Sequence, residues 1–392
     1  MSKILIGANP FGRYIAKSLI SKVDEIHVYE PYYKSNVKKM RRENTGNLVD
    51  VSLNELNYIK DLAVHSNSPR IIINTIPDDH NVIMELVNIL AEDDCIINMG
   101  KSCYKHVTEA ADTCLQVGIN YLDCAVFDPR NGSPPRLLVS GHQTTYSSYE
   151  HFFKECFDNF IYFDQKAGKA THVNEVYLAV ETAMLQAFED ISTYCNHDMN
   201  FMYNVTCELQ KNYPIDNKLI AELADLYKTR DLRELKRLRL EITNEGKGLV
   251  SCATNAFKSI PRATIISAAV ANQLEHLDPF ECLKVDDNKC NVQRACNALL
   301  FVFCMILLEA DALLIVESVD VPLAKLSLQE SVIDCDTFRE NNERLHELTD
   351  MSHLSAELIV TKCMQNGYNI PTLSAAVQKY NKLRARSYKN GM

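Results

Sequence analysis

A glycine-bounded turn, Gly7-Ala-Asn-Pro-Phe-Gly12, follows a short apolar run, Lys3 to Ile6, and precedes a stretch in which Tyr14, Ile15, Leu19 and Ile20 recur at helical spacing. Strand, glycine turn and helix in that order form a phosphate-binding device: the helix N-terminus offers free N–H groups to a pyrophosphate, and glycine lets the backbone approach it. Gly7, Asn9, Phe11 and Gly12 are its candidate residues, with Gly100 at the tip of a later strand. Asn9 stands where the usual G-x-G-x-x-G spacing has its middle glycine, and Pro10 has no N–H to donate. Glu30 lies eighteen residues beyond Gly12, at the tip of the second strand. A carboxylate there accepts hydrogen bonds from both hydroxyls of an adenosine ribose and repels a 2′-phosphate, which selects NAD over NADP. The same residues are also compatible with a scaffold that holds no nucleotide. Acid–base chemistry has two candidates, His172 and Lys169, one helical turn apart; a histidine can give and take protons because its ordinary pKa lies near 6.5.

These residues need elements to place them. Strand-like runs recur at Ile26–Tyr29, Ile71–Ile76, Cys95–Met99, Tyr121–Phe127, Arg136–Ser140 and Phe160–Phe163, and amphipathic helices fit near 80–92, 104–117 and 147–157. Strands too apolar to face water on either side, alternating with helices, predict a largely parallel, doubly wound sheet. After Lys166 the strand signal stops. One long helix is expected from Ala167 to about His197, and helical periodicity continues to Arg386, broken near Asn212-Tyr-Pro, Ile260-Pro, Asp278-Pro and Ile370-Pro. The expected fold class is therefore α/β plus all-α: a Rossmann-type domain over residues 1–165 and an all-helical domain over 166–392. With 392 residues, two domains are the ordinary outcome.

From Tyr121 onward the order of motifs resembles the 6-phosphogluconate dehydrogenases and their β-hydroxyacid dehydrogenase relatives. Tyr121-Leu-Asp-Cys-Ala-Val-Phe-Asp-Pro129 stands where that family has a strand ending in D-A-P-V-S-G-G. Asn131-Gly-Ser and Leu137-Leu-Val-Ser-Gly141 match the next stretch, Asp164-Gln-Lys-Ala-Gly168 the entry to the catalytic helix, Lys247-Gly-Leu-Val a K-G-T-G segment, and Asn369-Ile-Pro371 a late G-I-P segment. The resemblance implies a nicotinamide cofactor and a homodimer formed through the helical domain. It also marks departures at the chemistry. The family's acid–base lysine corresponds to His172, its orienting asparagine to Val176, its general-acid glutamate to Ala179, and its S-G-G to Phe127-Asp128-Pro129. No lysine occurs between Lys289 and Lys325, where the family grips a phosphate; Lys382, Arg384, Arg386 and Lys389 form a short basic terminus read as a solvated helix end. Only 12 of 392 residues are glycine, about 3% against a usual share of about 7%.

The expected function is thus a 6-phosphogluconate dehydrogenase-like protein that has lost catalysis, retains the fold and serves a binding, structural or regulatory role, with a further protein partner open. The alternative is an NAD-dependent dehydrogenase of another hydroxyacid using His172. A formal charge of −10 disfavours nucleic acid and anionic membranes. The 14 cysteines show no C-x-x-C spacing, so a metal site is not expected, and buried thiols in a reducing cytosol are. The opening residues are too short in apolar length for a signal peptide, which also points to the cytoplasm. The most apolar segment, Ala298–Leu308, is followed at once by Glu309 and Asp311 and reads as a buried core helix; the near-uniform apolarity of 298–316 predicts that it is surrounded by helices, including those of a second subunit.

Overall fold

The structure, a computed structural model, describes residues 2–20, 25–30, 38–40, 52–56, 69–76, 80–100, 102–127, 134–215, 217–231, 289–327, 342–368 and 370–390. Asp128, Pro129, the Asn131-Gly-Ser stretch, the breaks at Ile260-Pro and Asp278-Pro, the Lys247 segment and Asn369 lie outside the described residues. The chain divides into two compact units, Met1–Asn174 and Glu175–Met392.

In the first unit, strands β1 (Ser2–Ile6), β2 (Glu25–Tyr29), β3 (Ser52–Leu56), β4 (Arg70–Asn74), β5 (Cys95–Asn98), β6 (Asn120–Phe127), β7 (Arg136–Gly141) and β8 (Asn159–Asp164) form one sheet in the order 3-2-1-4-5-6-7-8. All neighbours are parallel except β6 and β7, which run antiparallel from Leu122 opposite Gly141 to Phe127 opposite Arg136. Period-two alternation explains the double winding. Along β4, Ile71 and Ile73 join one apolar cluster with Leu5, Ile15, Leu19 and Phe152, whereas Ile72 joins another with Ile4, Ile6, Leu86 and Val107. Helices α1 (Pro10–Ile20) and α4 (Gln143–Cys156) supply the first cluster; α2 (His80–Val87) and α3 (Tyr104–Gln116) supply the second. Each fully buried Ile or Leu contributes about 1.5–3 kcal/mol by leaving water. The sheet order reverses between β1 and β4, so the crevice beyond their carboxyl ends is the place for a ligand in such a sheet.

Strand β3 is absent from the sequence reading. Ser52-Leu-Asn-Glu-Leu56 has two apolar residues in five and sits at the sheet's edge, where pairing on one side alone demands little hydrophobicity. Helix α4 begins at Gln143, four residues before its expected start, because Gln143-Thr-Thr carries no apolar period. The long helix α5 runs Lys169–Tyr194 and crosses the division between the units.

The second unit holds the rest of α5 and helices α6 (Met199–Asn212), α7 (Lys218–Thr229), α8 (Lys289–Val316), α9 (Val321–Ser327), α10 (Asn342–Gln365) and α11 (Pro371–Asn390). Their ends are written in the sequence: Asp198 and Asn217 cap α6 and α7 by accepting N–H bonds, and Pro371 opens α11. Helix α8 has 28 residues and is long and apolar enough to cross a membrane by length and composition, but most of its apolar stretch is buried in the unit. As expected it is a core helix, and it continues through Glu309 and Asp311. Both lie inside the helix and are buried, Glu309 Oε1 2.8 Å from Lys379 Nζ of α11 and Asp311 Oδ2 2.7 Å from Lys325 Nζ of α9. Edge-on ring contacts of Phe303 with Phe188 and of Phe301 with Tyr380 complete its packing. Neighbours of α8 therefore include helices of its own chain, namely α6, α9, α10 and α11.

Candidate functional site

At the tip of β1, Gly7 has φ +95°, and its N–H donates to the Tyr29 carbonyl at the tip of β2, 2.8 Å away. A side chain on Gly12 would place Cβ 2.2 Å from the Gly7 carbonyl oxygen. These glycines are thus required by the turn's own packing, whether or not a ligand approaches. The same holds for Gly100, where a Cβ would lie 2.2 Å from the Ile76 carbonyl oxygen.

Asn9 is the N-cap of α1. Its Oδ1 accepts the Gly12 N–H at 2.8 Å, its backbone carbonyl accepts the Arg13 N–H at 2.9 Å, and its Nδ2 donates to the Thr75 carbonyl at 2.5 Å. The amide therefore bridges the helix end and the tip of β4 across the crevice between β1 and β4. Glu30 stands at the tip of β2 as expected, but it is buried, and its Oε2 accepts the Ala8 N–H at 2.7 Å. Phe11 turns away from the crevice edge to stack with Tyr14 and Phe157, each 6.2 Å between ring centroids, on the α4 side of the sheet. Sequence reading missed Thr75, whose hydroxyl donates towards the Ile6 and Gly7 carbonyls, and the Asn74 amide, which donates to Asn98 Oδ1 at 2.8 Å. Their signal was present as polar residues closing the runs Ile71-Ile-Ile-Asn-Thr75 and Cys95-Ile-Ile-Asn98.

For a dinucleotide, the carboxylate at the β2 tip and the glycine turn fit the ribose end and the close backbone approach. The pyrophosphate position is a different matter. Pro10 offers no donor, and the N–H of Gly12 is held by Asn9.

The second candidate region is the start of α5. Asp123 on β6 is fully buried and accepts four hydrogen bonds: from Thr171 Oγ1 at 2.6 Å, the Thr171 N–H at 3.0 Å, the Gly168 N–H at 3.1 Å and Ser140 Oγ on β7 at 3.0 Å. Burial pushes this carboxyl up from the ordinary aspartate value, and its donors oppose the shift. One side chain thus fixes the helix N-terminus to two strands. His172 and Lys169 are buried, and the His172 ring packs against Tyr104 at 4.9 Å. Val176 and Ala179 are buried too and carry no ionisable or hydrogen-bonding side chain. Phe127 is half-buried at the end of β6. Among the described residues no group of three or more His, Cys, Asp or Glu could hold a metal ion.

In the second unit, Lys325 is engaged with Asp311. Of the basic terminus, Lys382, Arg384 and Arg386 are exposed, with Arg384 5.9 Å from the Tyr380 ring centroid. The described cysteines form no disulfide with one another, and all but Cys207 and Cys290 are buried.

A doubly wound sheet with a glycine turn at its switch point, leading through a long helix into an all-helical unit, defines the class of two-domain dehydrogenase folds. Residues 4–163 match the sequence model of the NAD binding domain of 6-phosphogluconate dehydrogenase. Over this stretch the first unit is similar to the NAD-binding domain of 6-phosphogluconate dehydrogenase. Over the whole chain, the fold is similar to that of Plasmodium falciparum 6-phosphogluconate dehydrogenase, a protein solved alone, with its cofactor NADP+ and with its substrate 6-phosphogluconate. Identity is 16%, coverage 98% of this chain and 92% of that one, and the TM-score 0.70. A conserved hypothetical protein from Sinorhizobium meliloti matches at 14% identity over 70% of this chain and 87% of its own, TM-score 0.48. The 3-hydroxyisobutyrate dehydrogenase of Salmonella typhimurium matches at 10% identity over 77% and 94%, TM-score 0.44. A comparison with curated protein sequences finds no relative.

Proposed function

We propose that the protein keeps the 6-phosphogluconate dehydrogenase fold without its dehydrogenase chemistry and serves a binding, structural or regulatory role. The observation that carries this reading is the run of positions 172, 176 and 179 on α5: a buried histidine packed against Tyr104 with its ring tilted, then valine and alanine. Proton transfer during hydride removal needs a positioned base, and a second group must orient the substrate. His172 is the residue able to exchange a proton among these three, and neither Val176 nor Ala179 can orient a substrate for it. With purified protein, NAD and a panel of 2- and 3-hydroxyacids, the expected result is no reduction of the cofactor above background. Steady turnover of any member of the panel sinks the proposal in favour of a His172-dependent dehydrogenase.

The dinucleotide that fits the turn is NAD(H) rather than NADP(H), because the Glu30 carboxylate would face a 2′-phosphate with like charge. NADH is expected to bind more tightly than NADPH in a fluorescence titration, and Glu30→Ala to narrow the difference. Tighter NADPH binding by the unmodified protein would overturn that assignment. Burial of most described cysteines, with no disulfide joining them to one another, is the basis for placing the protein in a reducing compartment such as the cytoplasm.

The homodimer is also part of this proposal, on a surface other than the apolar helix that suggested it. Helix α10 presents Met351, Leu354 and Leu358 outward, 77%, 61% and 58% exposed, at the spacing of one helix face. Exposed Glu347 precedes this stripe and half-exposed Lys362 follows it. Positions 347 and 362 have the same midpoint as 351 and 358. Two copies of α10 packed antiparallel about a two-fold axis would bury the stripe and set Glu347 of each copy near Lys362 of the other. Light scattering at micromolar concentration is expected to report a dimer, and Leu354→Asp a monomer with an unchanged helical spectrum. A dimer that survives Leu354→Asp rules out this surface.

A further inference from the structure

Anion binding at a helix N-terminus depends on N–H groups of the first turn that have no partner inside the protein. In α1 the supply is reduced at two positions by sequence and by geometry. Position 10 is proline. The Gly12 N–H points at Asn9 Oδ1, 2.8 Å away, where a phosphate oxygen would otherwise accept it. Asn9 is itself held at its other end, since Nδ2 donates to the Thr75 carbonyl at 2.5 Å. Its side chain is therefore stretched between the two walls of the crevice, one end on the helix and the other on the tip of β4. The neighbouring Ala8 N–H is engaged as well, by the Glu30 carboxylate.

We infer that the Asn9 side chain is an intramolecular competitor for the pyrophosphate position, so that dinucleotide affinity is governed by whether its amide releases Gly12 and Thr75. The inference rests on the cofactor part of the reading above and adds a residue that sets affinity. A phosphate oxygen is charged and makes the stronger bond to the Gly12 N–H. Its entry nevertheless requires two existing bonds to break, and the Asn9 carboxamide must leave the space between Gly12 and Thr75. Two hydrogen bonds of ordinary net strength correspond to a weakening of about tenfold to a hundredfold. Two features keep the turn otherwise ready: the left-handed Gly7, and Gly12 where any Cβ would collide with the Gly7 carbonyl.

The test is a fluorescence titration of NADH into the full-length chain and into three variants, with the thermal midpoint recorded for each. Asn9→Gly removes the amide, keeps the backbone carbonyl that accepts the Arg13 N–H, and places a residue that serves well as an N-cap. It is expected to bind NADH at least about tenfold more tightly than the native chain. Asn9→Ser keeps a short capping oxygen but cannot reach Thr75, and should fall between the two. Asn9→Asp keeps the cap and adds a negative charge, and should bind more weakly than either. If Asn9→Gly and Asn9→Ser, both folded by their thermal midpoints, bind no better than the native chain, the inference is overturned; that includes the case in which none of them binds. The readout is binding alone. Turnover of a hydroxyacid by the native chain would refute the non-catalytic proposal and leave this inference standing, whereas equal NADH affinities would do the reverse.

Discussion

Asp123→Ala is expected to destabilise the N-terminal unit by about 3–5 kcal/mol, the largest stability loss anticipated for any single polar substitution in it. One carboxylate accepts bonds from Thr171 Oγ1, the Thr171 N–H, the Gly168 N–H and Ser140 Oγ, and it is completely buried. Alanine leaves all four donors without this acceptor in a place that water reaches only by opening the structure. A buried donor left unsatisfied costs about 1–3 kcal/mol, and the losses are less than additive because the helix end can shift. The two backbone donors lie just before α5, at Gly168, and in its first turn, at Thr171, and the positive dipole end of that helix also loses its balancing negative charge, worth about 0.3–1 kcal/mol or more in a buried setting. Ser140→Ala removes one donor to Asp123 and the acceptor of the Ala170 N–H at 3.1 Å, and is expected to cost about 1–3 kcal/mol. Thermal or urea unfolding followed by circular dichroism measures both. A loss below about 1 kcal/mol for Asp123→Ala would show that the network is not what fixes α5 to the sheet.

This residue also shows why part of the resemblance is legible on structural grounds alone. Asp123 is the aspartate of the strand that corresponds to the family's D-A-P-V-S-G-G, and in this structure its work is to hold a helix. Gly7, Gly12 and Gly100 persist for a similar reason, since their neighbours leave no room for a Cβ. The proposed loss of chemistry falls at positions 172, 176 and 179, where the resemblance implies groups that act on a substrate.

The sheet and its helices were readable wherever burial on both faces forces continuous apolar runs, as in Ile71-Ile-Ile and Cys95-Ile-Ile. The edge strand Ser52–Leu56 escaped because an edge needs no such run. The buried helix α8 was legible from its apolarity, but how Glu309 and Asp311 are accommodated in it was not, because their partners, Lys379 and Lys325, are identified only by the fold. At the turn, spacing singled out Asn9 and Glu30 as candidates. It could not show that Asn9 bridges to Thr75 or that Glu30 accepts from Ala8, because those bonds join tips of strands β1, β2 and β4 that only the sheet order brings together.

The protein is expected not to oxidise 6-phosphogluconate at a measurable rate, and His172→Lys is expected not to restore the reaction. Oxidation of the substrate's hydroxyl needs a base to take its proton as hydride leaves, and the enediol formed after decarboxylation needs an acid to protonate it. Each correctly placed acid or base is worth about 10²- to 10⁴-fold in rate. By the resemblance, Ala179 stands where the acid would be and Val176 where the orienting amide would be, and both are buried. A lysine introduced at 172 would replace a ring packed against Tyr104 in a buried place. There, desolvation would favour the neutral amine, which is the form a base requires, so protonation state alone does not forbid activity. What forbids it is the missing second group: residues that act on one substrate as a unit are not recovered one at a time. A triple replacement, His172→Lys with Val176→Asn and Ala179→Glu, restores the groups but places two more polar side chains on buried positions of α5, and a lower thermal midpoint is expected with it. Absorbance at 340 nm with saturating 6-phosphogluconate, against NAD and NADP in turn, decides the matter for the native chain and for His172→Lys. Turnover of about 1 s⁻¹ or faster, a rate ordinary for enzymes, from either protein would mean that the groups on α5 are not the catalytic set and that the non-catalytic reading is wrong.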